Sequence, residues 1–400
     1  MSNLKSLNRP KRVRNSAARG EVAPFLAMDV MRQAHQMAAT GRDVLHMEVG
    51  QPGFAAPNRV REAAVSALEN GNLGYTEGTG LLALRERIAA YYAQTHEIDL
   101  DPRRVVVTTG SSAGFILAFL ALFNAGEGVL LPVPTYPAYR NILTAMDLHA
   151  AMMHLPHGQF GVPHASDIEQ AVAGDETIKG LLIASPANPT GTIIGTEGLK
   201  ALADQCLSSG LWLISDEIYH GLNYGQTQTE TALRHDDEAI VINSFSKFYC
   251  MTGWRIGWML VPDRLVRMIE RLAQNLFICA PAISQHAAMA AFDATQELEA
   301  IKLIYETNRQ ILLERLPAMG INRLHPADGA FYIYADVGAF TNDSVEFTEA
   351  LLREKGVAVT PGLDFDPVSG NRFIRLSYAG TTDTITAALD KLEQHLSLSR

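Results

Sequence analysis

The sequence predicts an α/β protein with a mostly parallel central sheet, helices on both of its faces, and a smaller α+β domain. Two observations carry this. From residue 105 onward, short runs rich in Val, Ile and Leu alternate with helical segments; the runs lack the in–out polarity of a strand with one wet face, so each is buried on both sides. After residue 290 the alternation resumes over fewer elements, behind one long helix. Four hundred residues, 47% of them hydrophobic and 19% charged, suffice for two such cores. The expected division is a basic arm over 1–20, a large domain over 50–290, and a small domain formed by 21–49 with 291–400.

Taken in order, residues 21–40 have helical spacing (Val22, Phe25, Leu26, Met28, Val30, Met31) and end at Gly41, and 44–49 read as a short strand turned by Gly50-Gln-Pro-Gly53. Residues 59–69 form an amphipathic helix, the glycine-rich stretch 71–80 carries one aromatic, Tyr75, and 81–92 are helical again. Strands follow at 105–109, 128–131, 179–184, 211–215 and 239–243, and 256–261 closes the series in the reverse direction. The turn Gly110-Ser-Ser-Ala-Gly114 leads from the first of these into an apolar helix over 115–123. Helices over 265–277, 284–292 and 297–316 lead out of the sheet; strands at 330–336, 357–360 and 373–377 with a helix at 344–355 make the smaller domain.

A formal charge of −10 argues against a nucleic-acid partner, which requires clustered positive charge. Lys5, Arg9, Lys11, Arg12, Arg14 and Arg19 precede the first acid, Glu21, and read as an arm without an apolar leader segment. Cys206, Cys250 and Cys279 have no C-x-x-C spacing, which fits a reducing compartment and supplies no zinc site. No stretch reaches the roughly 18 apolar residues of a membrane span. A cytoplasmic protein without membrane association is expected.

The carboxyl ends of strands in such a sheet are where ligands bind, and here each opens onto a residue with chemistry to offer: Ser111 and Ser112, Tyr136, Asn188, Asp216 and Tyr219, and Lys247. Lys247 leaves a buried strand between Ser244-Phe-Ser246 and, eight residues on, Arg255. Partial desolvation lowers a lysine's pKa and frees the amine for Schiff-base chemistry. Ser111, Ser244, Ser246 and Arg255, with the N–H groups at the helix start after Gly110, make a phosphate cup. An amine beside a phosphate cup points to pyridoxal phosphate, for which Asp216 supplies the carboxylate at the pyridine nitrogen, Asn188 and Tyr219 the groups at the ring oxygen, and Tyr136 the stacking ring. Arg375, inside an otherwise apolar strand, requires an anionic partner; a structural carboxylate and a bound ligand are the two candidates.

In combination, Asn188-Pro-Thr-Gly191, Ser215-Asp-Glu-Ile-Tyr219, Ser244-x-Ser-Lys247 with Gly253-Trp-Arg255, and Arg375-Leu-Ser-Tyr378 resemble the class I/II aminotransferases, pyridoxal-phosphate enzymes of fold type I. The resemblance runs from Gly50 to Tyr378. It implies that Lys247 holds the cofactor and moves the proton at the substrate's Cα, that Arg375 grips the α-carboxylate with Gly50 touching it, and that Tyr75 reaches the phosphate of the neighbouring subunit's cofactor in a homodimer. The reaction would move an amino group from an α-amino acid to a 2-oxo acid. Related aspartate-specific enzymes often carry a long polar side chain where this sequence has Ser111-Ser-Ala113, so a neutral or aromatic donor is expected, with Phe25, Tyr136 and residues 277–280 as candidate pocket walls.

Two other readings compete. The same cofactor site could run β-elimination as a C–S lyase, and Gly110-Ser-Ser-Ala-Gly114 also matches the G-x-S-x-G elbow of a serine hydrolase, which would need a nearby histidine. The pair His154 and His157 suggests metal, but lacks a third ligand and reads as loop.

Overall fold

Strand residues of the central sheet alternate between two buried faces, which is why they read as continuous apolar runs. Leu213, Val241 and Leu260 pack into one core while Ile214, Ile240, Ile242 and Met259 pack into another. The computed structural model describes residues 15–71 and 73–398. The expected basic arm thus falls largely outside the described residues; within them, Arg19 pairs with Asp147 at 3.0 Å.

The seven strands run, across the sheet, Val105–Thr108, Gly257–Leu260, Ile240–Ser244, Trp212–Asp216, Ile178–Ala184, Gly128–Val133 and His149–His154. All pairings are parallel except those of Gly257–Leu260, which is antiparallel to both neighbours, as the sequence predicts for the closing strand. Ser244 is registered opposite Gly257, so the segment holding Lys247 and Arg255 is a loop closed at its base by a strand ladder. Helices Ser111–Leu122, Pro137–Ala145 and Asp263–Leu276 cover one face; Asn58–Glu69, Leu82–His96, Ala165–Gly174, Thr196–Ser209 and Ala282–Ala291 cover the other.

A third core lies under a four-stranded antiparallel sheet ordered Thr360–Pro361, Phe373–Ser377, Tyr332–Asp336 and Arg323–Leu324, packed by Thr295–Ala318, Ser344–Lys355 and Thr382–Leu398. The helix of 21–40 is shorter than expected, Leu26–Ala39, and Val30 and Ala34 pack it against Leu352 and Ala358.

Two predicted strands differ in a way that matters for function. The run 44–49 forms ladder only over Leu45–His46, paired with Val357–Ala358, because beyond it the Glu48 carbonyl accepts from Arg375 and, at 2.7 Å, from the Thr360 hydroxyl. The backbone is thereby bent so that Gly50 faces the central sheet. The run 357–360 splits for the same reason: its first half pairs with residues 45 and 46, while Thr360 pairs with Arg375 in the other sheet.

Candidate active site

Loops leaving the carboxyl ends of the central strands line a cavity of about 180 Å³. Gly50, Ser111, Ser112, Tyr136, Asn188, Asp216, Tyr219, Ser246, Lys247, Arg255 and Arg375 meet in its wall. Two predicted residues do not. Ser244 lies behind the wall, its hydroxyl bonded to Ser246 Oγ at 2.9 Å and to the Ile256 carbonyl at 3.0 Å, so it braces Ser246. Tyr75 is 85% exposed on the surface loop. The 277–280 segment does not reach the cavity within this chain; Phe277 packs on the core instead.

Lys247 donates to the Gly50 carbonyl at 2.5 Å. That approach requires a glycine, since a Cβ at position 50 would come within 1.7 Å of the Tyr332 hydroxyl oxygen. Burial, reinforced by the charges of Arg375 and Arg255 and opposed by Asp216, lowers the Lys247 amine to about 8. Asp216, only 4% exposed, accepts from the Ile218 N–H at 3.1 Å and from the Tyr139 hydroxyl. Burial raises its carboxyl to about 6, and the bonds from Tyr139 and Ile218 with the Lys247 charge hold it from rising further. At neutral pH it is therefore mostly ionised.

Ser111 and Ser112 open the helix Ser111–Leu122, whose first N–H groups have no side-chain cap. Gly110, at φ 76°, brings this helix end against Arg255: a Cβ there would stand 2.3 Å from Nη2. Arg255 donates to the Thr252 carbonyl at 3.1 Å and makes no ion pair among the described residues. A helix N-terminus, a guanidinium and the Ser246 hydroxyl thus border one end of the cavity, a set suited to an anion.

Arg375 is 2% exposed, yet every acceptor it meets is neutral: Asn188 Oδ1 at 2.9 Å, Thr360 Oγ1 at 3.2 Å and the Glu48 carbonyl. Its Nε has no partner, and its guanidinium lies 4.4 Å from the Tyr332 ring and 4.6 Å from the Phe365 ring. No carboxylate bonds to Arg375 among the described residues, although the buried Asp364 lies near enough to feel its charge.

Sequence reasoning missed Tyr139, Tyr332 and Thr360. The first two are aromatics within predicted apolar or turn segments, and only the fold shows that Tyr332 meets Tyr219 hydroxyl to hydroxyl at 2.7 Å. Among the described residues no histidine lines the cavity, so Ser112 meets no base there of the kind a serine hydrolase needs. His154 faces Asp366 at 3.8 Å, the His157 side chain lies outside the described residues, and no cluster suited to a metal occurs among the described residues.

Residues 42–392 match the family Aminotransferase class I and II. The chain belongs to the class I and II aminotransferases. It is 46% identical to the valine–pyruvate aminotransferase of Mycobacterium tuberculosis, over 94% of this chain and 97% of the relative. It is 31% identical to an aspartate aminotransferase of Geobacillus stearothermophilus, over 94% and 97% respectively. A crystal structure of an aminotransferase from Mycobacterium tuberculosis superposes with a TM-score of 0.93 at 45% identity, covering 96% of this chain and all of the other.

As a member of this family the aminotransferase depends on pyridoxal phosphate. The residues present fit that group on chemical grounds: a buried amine of lowered pKa, a buried carboxylate held ionised, and an anion cradle at the helix end that a Cβ at position 110 would fill. Neither the lyase nor the hydrolase reading finds support in these relatives.

Proposed function

We propose that this aminotransferase takes its amino group from a neutral, apolar α-amino acid, with roles divided among the residues of the cavity as follows. Ser111, Ser112, Ser246 and Arg255 would hold the cofactor phosphate, Asp216 the ring nitrogen, Asn188 and Tyr219 the ring oxygen, and Tyr136 the ring face. Bound pyridoxal phosphate supplies an electron sink for the bond broken at the substrate's Cα. Asp216 keeps a negative charge buried beside that ring, with Tyr139 fixing its orientation. Lys247, as a neutral amine, would take and hold the proton removed from the substrate's Cα. Arg375 grips the α-carboxylate, with Gly50 and Asn188 beside it.

The observation that carries the reading is Arg375: a buried guanidinium held only by neutral oxygens, with an unpartnered Nε, is poised for an anion. The donor side chain then meets Phe25, Ala27, Met28, Val49 and Ile218, and among the described residues the cations in the cavity wall are the three already assigned, Lys247, Arg255 and Arg375. A second carboxylate would find no further cation among these residues. The valine–pyruvate relative supports a small aliphatic donor with a 2-oxo acid acceptor.

The same reading includes a cytoplasmic homodimer with a large domain over 50–290 and a small one over 21–49 with 291–400. Tyr75, Leu276 and Ile278 are 85%, 50% and 51% exposed, and the loop bearing Tyr75 is tied to the stretch after Leu276 by Gln285, which donates to Thr76 Oγ1 at 3.0 Å and to the Ala280 carbonyl at 2.9 Å. Adjacent exposed apolar groups of this kind suit a subunit contact. Free Cys206, Cys250 and Cys279 suit a reducing compartment. The test is a half-reaction screen: each amino acid is added to the purified enzyme and loss of the cofactor's visible band is followed. Aspartate or glutamate exceeding valine, alanine, methionine and phenylalanine by about tenfold in kcat/KM would overturn the donor assignment. For the dimer, mixing inactive Lys247→Ala with an inactive Tyr75 variant should restore activity; none after verified subunit exchange removes Tyr75 from the partner's site.

A further inference from the structure

Asp364 lies outside the cavity wall, is 1% exposed, and is bonded to no residue of its own loop: its two carboxylate oxygens accept from the backbone N–H groups of Leu26 at 3.0 Å and Ala27 at 3.1 Å. These are the first two residues of the helix Leu26–Ala39, which has no cap from its own preceding side chain. The carboxylate therefore caps, from a distant part of the chain, the helix end whose residues Phe25, Ala27 and Met28 form the apolar wall of the cavity.

The segment that carries Asp364 touches the rest of the site as well. The ring of its neighbour Phe365 lies 4.6 Å from the Arg375 guanidinium, and the Phe365 carbonyl accepts from the Thr135 N–H at 3.1 Å, next to Tyr136. Tyr136 in turn meets Phe25 edge-on, with ring centroids 5.6 Å apart. A closed ring of contacts results: Asp364 to Leu26, Phe25 to Tyr136, and Thr135 back to Phe365. Because residues 362–365 are also wedged against residues 370 and 373, where a Cβ on Gly362 would come 2.4 Å from the Gly370 carbonyl, the loop cannot drift independently.

We infer that Asp364 is a specificity-positioning residue: it latches the helix that forms the side-chain wall to the loop that supports the carboxylate-gripping Arg375, so that the space between wall and guanidinium has a set width. The latch touches neither substrate nor cofactor. The inference rests on the assignment of the donor side chain to the Phe25–Met28 wall.

The test uses the cofactor-loaded full chain with Asp364→Ala and Asp364→Asn, measuring kcat/KM for valine and for alanine. A loosened wall should lower the valine-to-alanine ratio about tenfold in Asp364→Ala, because discrimination between aliphatic side chains depends on wall placement, while the KM for alanine stays within about threefold. Asp364→Asn, with one acceptor oxygen left, should fall between. A cap with only a structural role would lower thermal stability and reduce both substrates by a common factor. A common factor, or an unchanged ratio in both variants, overturns the proposal; if Asp364→Ala gives no folded protein, the ratio in Asp364→Asn decides. Should the unaltered enzyme prefer a dicarboxylic donor, the apolar-donor assignment fails by itself, and the latch is judged on that donor's ratio to alanine by the same criterion.

Discussion

The inner wall of the cavity comes from the central sheet and the outer wall from the N-terminal segment and the small sheet, and the two are held by different means. Asp216 ends a central strand, and Ser246, Lys247 and Arg255 sit on a short loop anchored in strands whose residues are fully buried. Phe25 and Gly50 sit on irregular backbone and Ala27 and Met28 on the first turn of a helix, all positioned by side chains reaching from far along the chain: Arg375 and Thr360 to the Glu48 carbonyl, Asp364 to the helix end. On the proposed roles, the groups that act on the cofactor and at Cα are thus built into a rigid lattice, whereas those that meet the donor's carboxylate and side chain are held by a few long-range polar contacts.

Substitutions should separate the walls, and the largest loss is expected on the inner one. Lys247→Ala should lower kcat by about three to four orders of magnitude through loss of the proton-moving base, with cofactor still bound; single-turnover absorbance and loss of borohydride labelling check this. Turnover near that of the unaltered enzyme would break the assignment. Next, Asp216→Asn should cost roughly a hundredfold or more in kcat with a smaller change in cofactor affinity, because a neutral amide cannot balance a ring-nitrogen proton. On the outer wall, Arg375→Lys should act mainly on KM, raising it by roughly tenfold to a hundredfold for every α-amino acid alike, since an ammonium cannot reproduce the planar, stacked grip. A loss confined to one class of donor would move Arg375 from carboxylate recognition to side-chain selection.

Two smaller effects concern pH. The Tyr139 hydroxyl favours ionised Asp216, so Tyr139→Phe should raise the carboxyl above about 6 and move the acid limb of the pH–rate profile upward, leaving the rate near pH 8 little changed. The Lys247 amine, lowered to about 8 from 10.5, should make cofactor capture by the cofactor-free enzyme quicken through about pH 8, because the neutral amine is the attacking species. A rate still climbing towards pH 10 would show that the amine is not desolvated as the cavity implies.

Legibility in the sequence follows the same division. The buried strands at 178–184, 212–216 and 240–244 betray themselves by short apolar runs of Val, Ile and Leu, and the residues at and just past their ends are the inner wall. The strand His149–His154 was not legible, since His-Ala-Ala-Met-Met-His at a half-exposed edge has neither β-branching nor alternation. Helices Pro137–Ala145, Ala165–Gly174, Thr196–Ser209 and Thr382–Leu398 lay in stretches without a reading, and Tyr139 was hidden with the first of them. Asp364 shows the limit most clearly. A carboxylate that caps a helix 337 residues away in sequence leaves no local pattern, because its partner is a backbone group and carries no residue type.

The reversed strand Gly257–Leu260 has a further consequence. Its ladder with Ile240–Ser244 closes the loop that holds both Lys247 and Arg255, and that loop also carries Ser246. The amine and the guanidinium assigned to opposite ends of one cofactor are therefore carried on a single clamped stretch of chain, which acts as a molecular ruler. The spacing between these two groups is gauged locally, by residues 244–257, and not by the small sheet or the outer wall.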